Sequence, residues 1–133
     1  MNGEQLTLEQ AIRRPIPADE YDFDGRCVYL SGKMTGLPRW NRDEFMKQAR
    51  RLHNAGAIYV YNPAEMAPRT KTDPRGHEWW MRRSIEELSD GAGDEDGNTF
   101  YHALALIPGW EDSPGSRVEV IVADALGIDV VAL

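Results

Sequence analysis

Short apolar runs rich in β-forming residues alternate with segments of helical periodicity along most of this chain. The apolar runs predict four strands, at residues 27–31, 57–61, 103–107 and 128–132. The segments between them predict helices at residues 41–56, 78–88 and 114–126. Strands that alternate with helices form a parallel sheet covered by helices, with right-handed crossovers. We therefore predict the α/β class: a single Rossmann/flavodoxin-like domain with a parallel sheet of about four to five strands, in the order 2-1-3-4.

Two segments fall outside this alternation. Residues 1–25 predict a separate N-terminal arm, with a helix over 6–14 that ends at Pro15 and Pro17, and this arm packs either on the core or on a partner subunit. Residues 89–99 are acidic and glycine-rich without apolar periodicity, which predicts a solvated insertion. The folded domain is therefore expected over residues 26–133.

Composition narrows the class of protein. The 133 residues, 41% of them apolar, suffice for one domain with a real core. Fifteen Lys and Arg against twenty-two Asp and Glu give a net charge of −7, which disfavours a nucleic-acid polymer as partner. The sequence has a single cysteine, Cys27, as is usual in reducing compartments. It shows neither an apolar stretch long enough to span a membrane nor a leader for export. We therefore expect a cytoplasmic protein without a membrane partner.

Ligands of such sheets bind beyond the carboxyl ends of the strands, which draws attention to three loops, at residues 31–40, from 62 onward and 108–115. In the third loop, Ser113 is a strong helix N-cap, followed by Pro114 at the first helical position. A helix start of this kind can bind a small anion such as a phosphate, although it is equally explained as a cap.

The helix that follows is apolar from Val118 to Leu126 except for Glu119 and Asp124. We expect it to be largely buried, and a carboxylate early in such a helix to be kept ionised by the helix dipole. An ionised, positioned carboxylate beside a cleft is what a glycosyl-transferring nucleophile requires. The alternative is a structural pairing of Glu119 with an arginine or with backbone.

Other residues near the strand ends are weaker candidates. Gly32-Lys33 lacks the flanking residues of a phosphate-binding P-loop, but glycine still lets a ligand approach the backbone closely. Asn41 and Asn62 could bind a base or a sugar, or simply form turns, and Trp110 could stack on a base at the mouth of the third strand. The three histidines have no metal-ligand spacing, so we predict neither a metal nor another cofactor.

Several of these motifs resemble one family. The motifs are Val28 to Gly36, Asn41 and Phe45, Asn62 to Glu65, Leu106 to Glu111, Ser113 and Glu119. They are similar to the uncharacterised DUF4406 family, known mainly from phages and bacteria and related to the nucleoside 2-deoxyribosyltransferases. The resemblance covers about residues 27–133, without the arm and the acidic insertion.

The resemblance implies roles for individual residues. Glu119 matches the glutamate nucleophile of the better-known relatives, and Ser113 stands six residues earlier, as in relatives that hydrolyse nucleoside 5′-monophosphates. Ser84 occupies the position where relatives carry an acidic residue that protonates the base, so Glu78, Glu86 or Glu111 would have to supply that proton. The catalytic positions are thus Glu119 and Ser84. The candidate substrate-binding residues are Tyr29, Gly32, Lys33, Met34, Asn41, Asn62, Gly109, Trp110, Ser113, Gly115 and, for phosphate, Arg117.

Three functional hypotheses follow. The first is a nucleotide N-glycosidase or 2-deoxyribosyltransferase that acts on a small-molecule nucleotide through Glu119. The second, suggested by Ser84, is a nucleotide-binding module without turnover. The third is a structural or protein-binding domain, suggested by the arm and the four tryptophans. The family resemblance also implies a homo-oligomer, since relatives complete their sites across subunits.

Overall fold

The computed structural model describes residues 14–70, 72–91 and 95–133. Within them lie five strands: β1 (Ile16–Pro17), β2 (Cys27–Ser31), β3 (Tyr59–Tyr61), β4 (Ala103–Leu106) and β5 (Asp129–Ala132). The three α-helices described are α1 (Arg42–Asn54), α2 (His77–Leu88) and α3 (Pro114–Ala125). Single 3-10 turns occur at Ala18–Glu20, Pro38–Asn41, Pro63–Met66 and Trp110–Asp112.

All strands pair in parallel, in the order β1-β5-β4-β2-β3. The predicted α/β class is confirmed, and the four predicted strands lie in the predicted order. The difference is the fifth strand, in which Ile16 and Pro17 pair with Val131 and Ala132 at the edge of the sheet. An edge position is the place in a sheet where proline is tolerated, because it has no N–H to donate.

The described part of the predicted arm lies against the domain. Phe23 is buried in the core, and the Tyr21 hydroxyl donates a hydrogen bond to Asp129 Oδ2 at 2.9 Å. The helix predicted over 6–14 lies outside the described residues, except for Arg14. At the predicted acidic insertion, Gly91 and Thr99 form an antiparallel bridge, and the described residues between them are exposed.

Strand alternation divides the core between the two faces of the sheet. Val28 and Leu30 point to the face that α1 covers, where they pack with Phe45 and Leu52. Tyr29 points to the opposite face, where the core includes the residues Leu88 of α2 and Val120 and Ala123 of α3. Ser31, two positions after Tyr29, is therefore directed toward α2 and α3 as well. This placement of Tyr29 and Ser31 prepares the site described below.

Candidate functional site

A cavity of about 480 Å³ opens at the carboxyl end of β2. Its walls come from three places: the end of β2 with the loop after it, the loop before α2 with the first half of α2, and the first turns of α3. The residues that matter below are Tyr29, Ser31, Gly32, Lys33, Met34, Trp40, Asp73, Arg75, His77, Trp80, Met81, Ser84, Asp112, Ser113, Gly115, Ser116 and Glu119. The position agrees with the rule for ligand sites in parallel sheets.

The floor of the cavity is a cluster of buried polar side chains. Ser31 Oγ lies 2.7 Å from Glu119 Oε1 and 2.8 Å from Ser116 Oγ. Ser31 is 2% exposed, Glu119 7% and Ser116 1%. Ser116 and Glu119 are three residues apart on α3, so they lie on one face of the helix, above the end of β2. The carboxyl group of Glu119 is thus buried, hydrogen-bonded and at the cavity wall.

Burial dominates the ionisation of this carboxyl group. Desolvation raises the pKa of Glu119 to about 7, and the hydroxyls of Tyr29 and Ser31 act against this rise because they stabilise the charged form. The expectation that the helix dipole keeps Glu119 ionised is therefore wrong as stated. Glu119 is the sixth residue of α3, beyond the first turn, where the dipole has its effect. Both protonation states of Glu119 are populated near neutral pH.

Tyr29 places a second hydroxyl beside this carboxyl group. The side chain is fully buried, with its ring stacked on Tyr61 at 4.8 Å and edge-on to Tyr101 at 5.5 Å. Among the described residues, none meets the Tyr29 hydroxyl in hydrogen-bond geometry, although Glu119 and Ser84 lie close enough to act on its pKa. Burial raises the pKa of Tyr29 well above its ordinary value, so the phenol stays protonated. It is a buried donor that faces the cavity and lacks a partner in good geometry.

The start of α3 forms another wall of the cavity. Ser113 is the N-cap, and its Oγ accepts a hydrogen bond from the backbone N–H of Ser116 at 3.2 Å. Pro114 occupies the first position of the helix, and Gly115 lies under Met81 of α2. The predicted cap is confirmed, and Ser113, Pro114 and Gly115 all line the cavity.

The loop before α2 and the first turn of α2 carry an aromatic and charged cluster, which we call the Arg75 clamp: Asp73 and Arg75 from the loop, Trp79 and Trp80 from the helix. Asp73, Arg75 and Trp80 line the cavity, and Trp79 does not. The Arg75 guanidinium lies 4.6 Å from the ring centre of Trp79 and 4.4 Å from that of Trp80. Arg75 Nε donates to Asp73 Oδ1 at 3.0 Å, and Trp80 Nε1 donates to Asp73 Oδ2 at 2.7 Å. The pKa of Asp73 is lowered, mainly by the hydrogen bonds from Arg75, so this carboxylate is ionised at neutral pH. Stacking and pairing hold a permanent cation at the cavity wall.

The loop after β2 is held close to the core. An added Cβ at Gly32 would lie 2.9 Å from Ile107 Cβ and 3.3 Å from Phe45 Cζ, so glycine is required here by close packing. Asn41 does not line the cavity, but its Nδ2 donates to the Lys33 carbonyl oxygen at 3.0 Å and holds the loop. Trp40 lines the cavity, has a left-handed φ of 56°, and donates from Nε1 to the Thr70 carbonyl oxygen at 3.0 Å. That hydrogen bond joins the loop after β2 to the loop that carries the Arg75 clamp.

The structure brings together at this cavity the predicted residues Tyr29, Gly32, Lys33, Met34, Ser84, Ser113, Gly115 and Glu119. It places Asn41, Asn62, Gly109, Trp110 and Arg117 outside the cavity lining. Asn62 instead caps the turn that follows β3, accepting from the Ala64 N–H at 3.0 Å. Trp110 packs against the core on the α3 side, and Arg117 is exposed on α3.

The three alternative proton donors are also outside the cavity lining: Glu78 and Glu111 are exposed, and Glu86 lies on the outer side of α2. Besides Glu119, the acidic residues that line the cavity are Asp73 and Asp112. The sequence interpretation included Ser31 only as part of the segment 29–34 expected to contact the base and sugar, and it missed Ser116, Arg75 and Trp80. Ser31 could have been found by alternation from Tyr29, and Ser116 by its three-residue spacing from Glu119; the clamp depends on a loop whose path has no sequence signal.

The described residues contain no group of three or more His, Cys, Asp and Glu side chains arranged to hold a metal ion. Across the same part of the chain, the helices are all too short or too polar to cross a membrane.

The fold and the cavity define a class: a parallel α/β domain with a buried carboxyl group at the carboxyl end of its sheet. Residues 26–132 match the family described as Domain of unknown function (DUF4406), and the chain belongs to this family. The arm before residue 26 lies outside the match. No curated protein and no solved structure is significantly similar to the chain.

Proposed function

We propose that this protein cleaves the N-glycosidic bond of a nucleoside 5′-monophosphate, as a hydrolase or a 2-deoxyribosyltransferase, with Glu119 as its nucleophile. The observation that carries the proposal is the buried Glu119 carboxyl group, hydrogen-bonded by Ser31 at 2.7 Å at the wall of a cavity about 480 Å³ in volume. A carboxylate in such a place is oriented and shielded from water before the substrate arrives. The resemblance to nucleoside 2-deoxyribosyltransferases supports the same role.

The reaction would proceed in two steps. An oxygen of ionised Glu119 bonds to the anomeric carbon while the bond from that carbon to the base nitrogen breaks, and the base leaves with the electron pair. Water or a second base then attacks the same carbon and releases Glu119 as a carboxylate. In the position where relatives hold an acid, Ser84 lines the cavity, and Asp73 is ionised by its pairing with Arg75. We therefore propose that the departing base takes its proton from water, and that the hydroxide so formed accepts the proton that the attacking water or second base releases in the second step.

A phosphorylated substrate is supported by groups from three parts of the cavity lining. The N-terminus of α3, capped by Ser113, favours an anion, and Lys33 and Arg75 add cationic side chains to the lining. Arg117 lies outside this lining, so we assign the phosphate to Arg75 in its place. Trp40 and Trp80 offer ring surface on which the base can stack.

The experiment is a release assay. The protein is incubated with each of the common deoxynucleoside and nucleoside monophosphates, and free base is measured by chromatography. We expect release from at least one nucleotide, and a loss of at least about 1000-fold in Glu119→Gln, because the nucleophile is gone. Glu111→Gln is the matched control, since Glu111 is exposed and outside the cavity lining. No release by the native chain, or equal release by Glu119→Gln, overturns the proposal.

A second candidate function, a nucleotide-binding module without turnover, is favoured by Ser84. A hydroxyl cannot protonate a leaving base as a carboxylic acid does. This alternative predicts that a nucleoside monophosphate raises the melting temperature without release of base, and that Glu119→Gln binds as the native chain does. Calorimetry on the same two proteins distinguishes the two candidates.

We also propose that the chain forms a homo-oligomer in the cytoplasm of a bacterial cell, where a phage gene could equally supply it. The observation in favour of self-association is that Val118 and Ile121, on the outer face of α3, are 39% and 40% exposed. The expectation that α3 is largely buried is wrong for this face, and a second copy of the chain would cover it.

A further inference from the structure

Ser31 connects the end of β2 to α3. As the last residue of β2 it is directed toward α3, where its hydroxyl reaches both Glu119 Oε1, at 2.7 Å, and Ser116 Oγ, at 2.8 Å. The backbone N–H of Ser116 is in turn held by the Ser113 side chain at 3.2 Å. The strand end, the helix cap and the carboxyl group are thus connected by one chain of hydrogen bonds.

The number of protons fixes the direction of this chain. A serine hydroxyl has one proton to donate, and an ionised carboxylate only accepts. When Glu119 is charged, Ser31 must donate to Oε1, and the Ser116 hydroxyl then donates to Ser31 Oγ. When Glu119 is protonated, the same distances allow the opposite direction. The pair therefore responds to the protonation state of Glu119 without any movement of heavy atoms.

We propose that Ser31, oriented by Ser116, is a positioning residue that holds Oε1 of Glu119 and leaves Oε2 as the oxygen that attacks the substrate. The statement that Oε2 attacks the substrate rests on the proposed function, whereas the positioning of the carboxyl group by Ser31 does not. With both serines at most 2% exposed, water cannot easily replace either hydroxyl. A rotation of the carboxyl group would break the 2.7 Å contact, so Ser31 also limits the rotamers of Glu119.

Two hydroxyls stabilise the charged form of Glu119, and Ser31 is the one that lies in hydrogen-bond geometry. The groups that act on the charge of Glu119 are the hydroxyls of Tyr29 and Ser31, both on β2, and Tyr61 on β3 interacts with it at longer range. From α2, the cavity lining holds Ser84, Met81, Trp80 and the titratable His77, and the loops around it add Lys33, Asp73, Arg75 and Asp112. Since Tyr29 lacks hydrogen-bond geometry, Ser31 is the donor with a well-formed bond.

The test measures the protonation of Glu119 directly, in protein labelled with ¹³C at the glutamate carboxyl carbons. The resonance is assigned by its loss in Glu119→Gln and followed from pH 4 to pH 10. In Ser31→Ala we expect its midpoint to rise by about one to two pH units, because a hydrogen bond to a buried charge is removed. Ser116→Ala should give a smaller rise in the same direction, and Ser31→Thr should restore the native midpoint. Ser89→Ala is the control, since Ser89 is exposed at the end of α2.

Activity is measured on the same variants. We expect kcat at pH 7 to fall about 10- to 100-fold in Ser31→Ala with KM little changed, and the acid limb of the pH profile to move upward with the titration midpoint. Ser31→Cys keeps the shape of the side chain with a somewhat larger atom and donates weakly, so it should resemble Ser31→Ala if the fold is retained. An unchanged midpoint in Ser31→Ala and Ser31→Cys overturns the inference. Absence of base release by the native chain overturns the proposed function alone, because the titration does not depend on turnover.

Discussion

At the scale of single residues, Glu119 is a carboxyl group that folding buries. Its carboxyl group is 7% exposed and receives a hydrogen bond from Ser31, yet burial still raises its pKa from 4.5 to about 7. The hydrogen bonds therefore offset only part of the desolvation. A group kept in this state is typical of sites where chemistry requires a reactive carboxylate.

The raised pKa predicts a dependence of stability on pH. The folded chain holds the Glu119 proton more tightly than the unfolded chain, so its contribution to stability is complete below pH 4.5 and is lost as the pH rises to about 7. The loss should amount to about 3 kcal/mol in the free energy of unfolding. Glu119→Gln should lack this component and be more stable than the native chain at pH 8. Urea unfolding at pH 5, 6, 7 and 8 measures it, with Glu111→Gln as control; parallel curves for the native chain and Glu119→Gln contradict the prediction.

Arg75 is the residue through which we expect phosphate to be recognised. Its guanidinium packs over the rings of Trp79 and Trp80 and lines the cavity, whereas Arg117 is exposed on α3 and does not line it. Arg75→Met should weaken binding of a nucleoside monophosphate about 10- to 100-fold, with little effect on the unphosphorylated nucleoside. Arg117→Met is the matched control and should bind both ligands as the native chain does. Calorimetric titration measures these affinities; equal losses for nucleotide and nucleoside would assign Arg75 a structural role.

At the scale of elements, the close approach of the loop after β2 to the core predicts a sensitive glycine. A methyl group at Gly32 would come within 2.9 Å of Ile107 Cβ, an atom that cannot move without its backbone. Gly32→Ala should reduce the free energy of unfolding by about 1–3 kcal/mol. Gly76→Ala, where the added Cβ meets only Glu78 Oε2 at 3.4 Å, should cost less. Chemical denaturation compares the two, and a larger loss for Gly76→Ala is the contrary outcome.

The elements themselves were readable from sequence to different degrees. The strands β2, β3, β4 and β5 have continuous apolar runs, and their alternation with helices specifies the parallel sheet and its order. Strand β1 has only Ile16 and Pro17, and its pairing with β5 depends on contacts distant in sequence. No local pattern can predict a strand of that kind.

The residues of the candidate site also differ in how far the sequence could predict them. Glu119, Ser113 and Gly115 belong to the first two turns of one helix, so a local pattern was enough to bring them to the same cavity. Tyr29, which also lines the cavity, was named through the family resemblance. The Arg75 clamp requires a loop to fold back so that an arginine meets two tryptophans and an aspartate. Trp110 looked suitable at the end of β4, but the turn after Gly109, whose φ is 92°, directs it against the core. Loop paths of this type are decided by tertiary packing.

At the scale of the whole molecule, the distribution of apolar surface bears on self-association. The inner face of α3 carries Ser116 and Glu119, and its outer face leaves Val118 and Ile121 exposed. The net charge of −7 opposes association in general, so an interface between copies of the chain would need an apolar centre of this kind. Because the same helix contributes Glu119 and the exposed pair, association through this face would also rigidify the helix that carries the proposed nucleophile.

This argument predicts that the native chain sediments as a dimer or larger assembly at micromolar concentration, and that Val118→Lys with Ile121→Lys sediments as a monomer. Ile58→Lys is the matched control: Ile58 is 68% exposed, next to the edge strand β3, and its replacement should leave the assembly intact. Sedimentation velocity separates the three proteins, and melting temperatures establish that the double variant is folded. A monomeric native chain contradicts the prediction, and so does an assembly that only Ile58→Lys disrupts, which would place the interface at the edge of the sheet. The monomeric double variant can also be tested for base release and for nucleotide binding. Loss of release with binding retained would indicate that self-association holds α3 in the position that the proposed reaction needs, while the cavity forms without it.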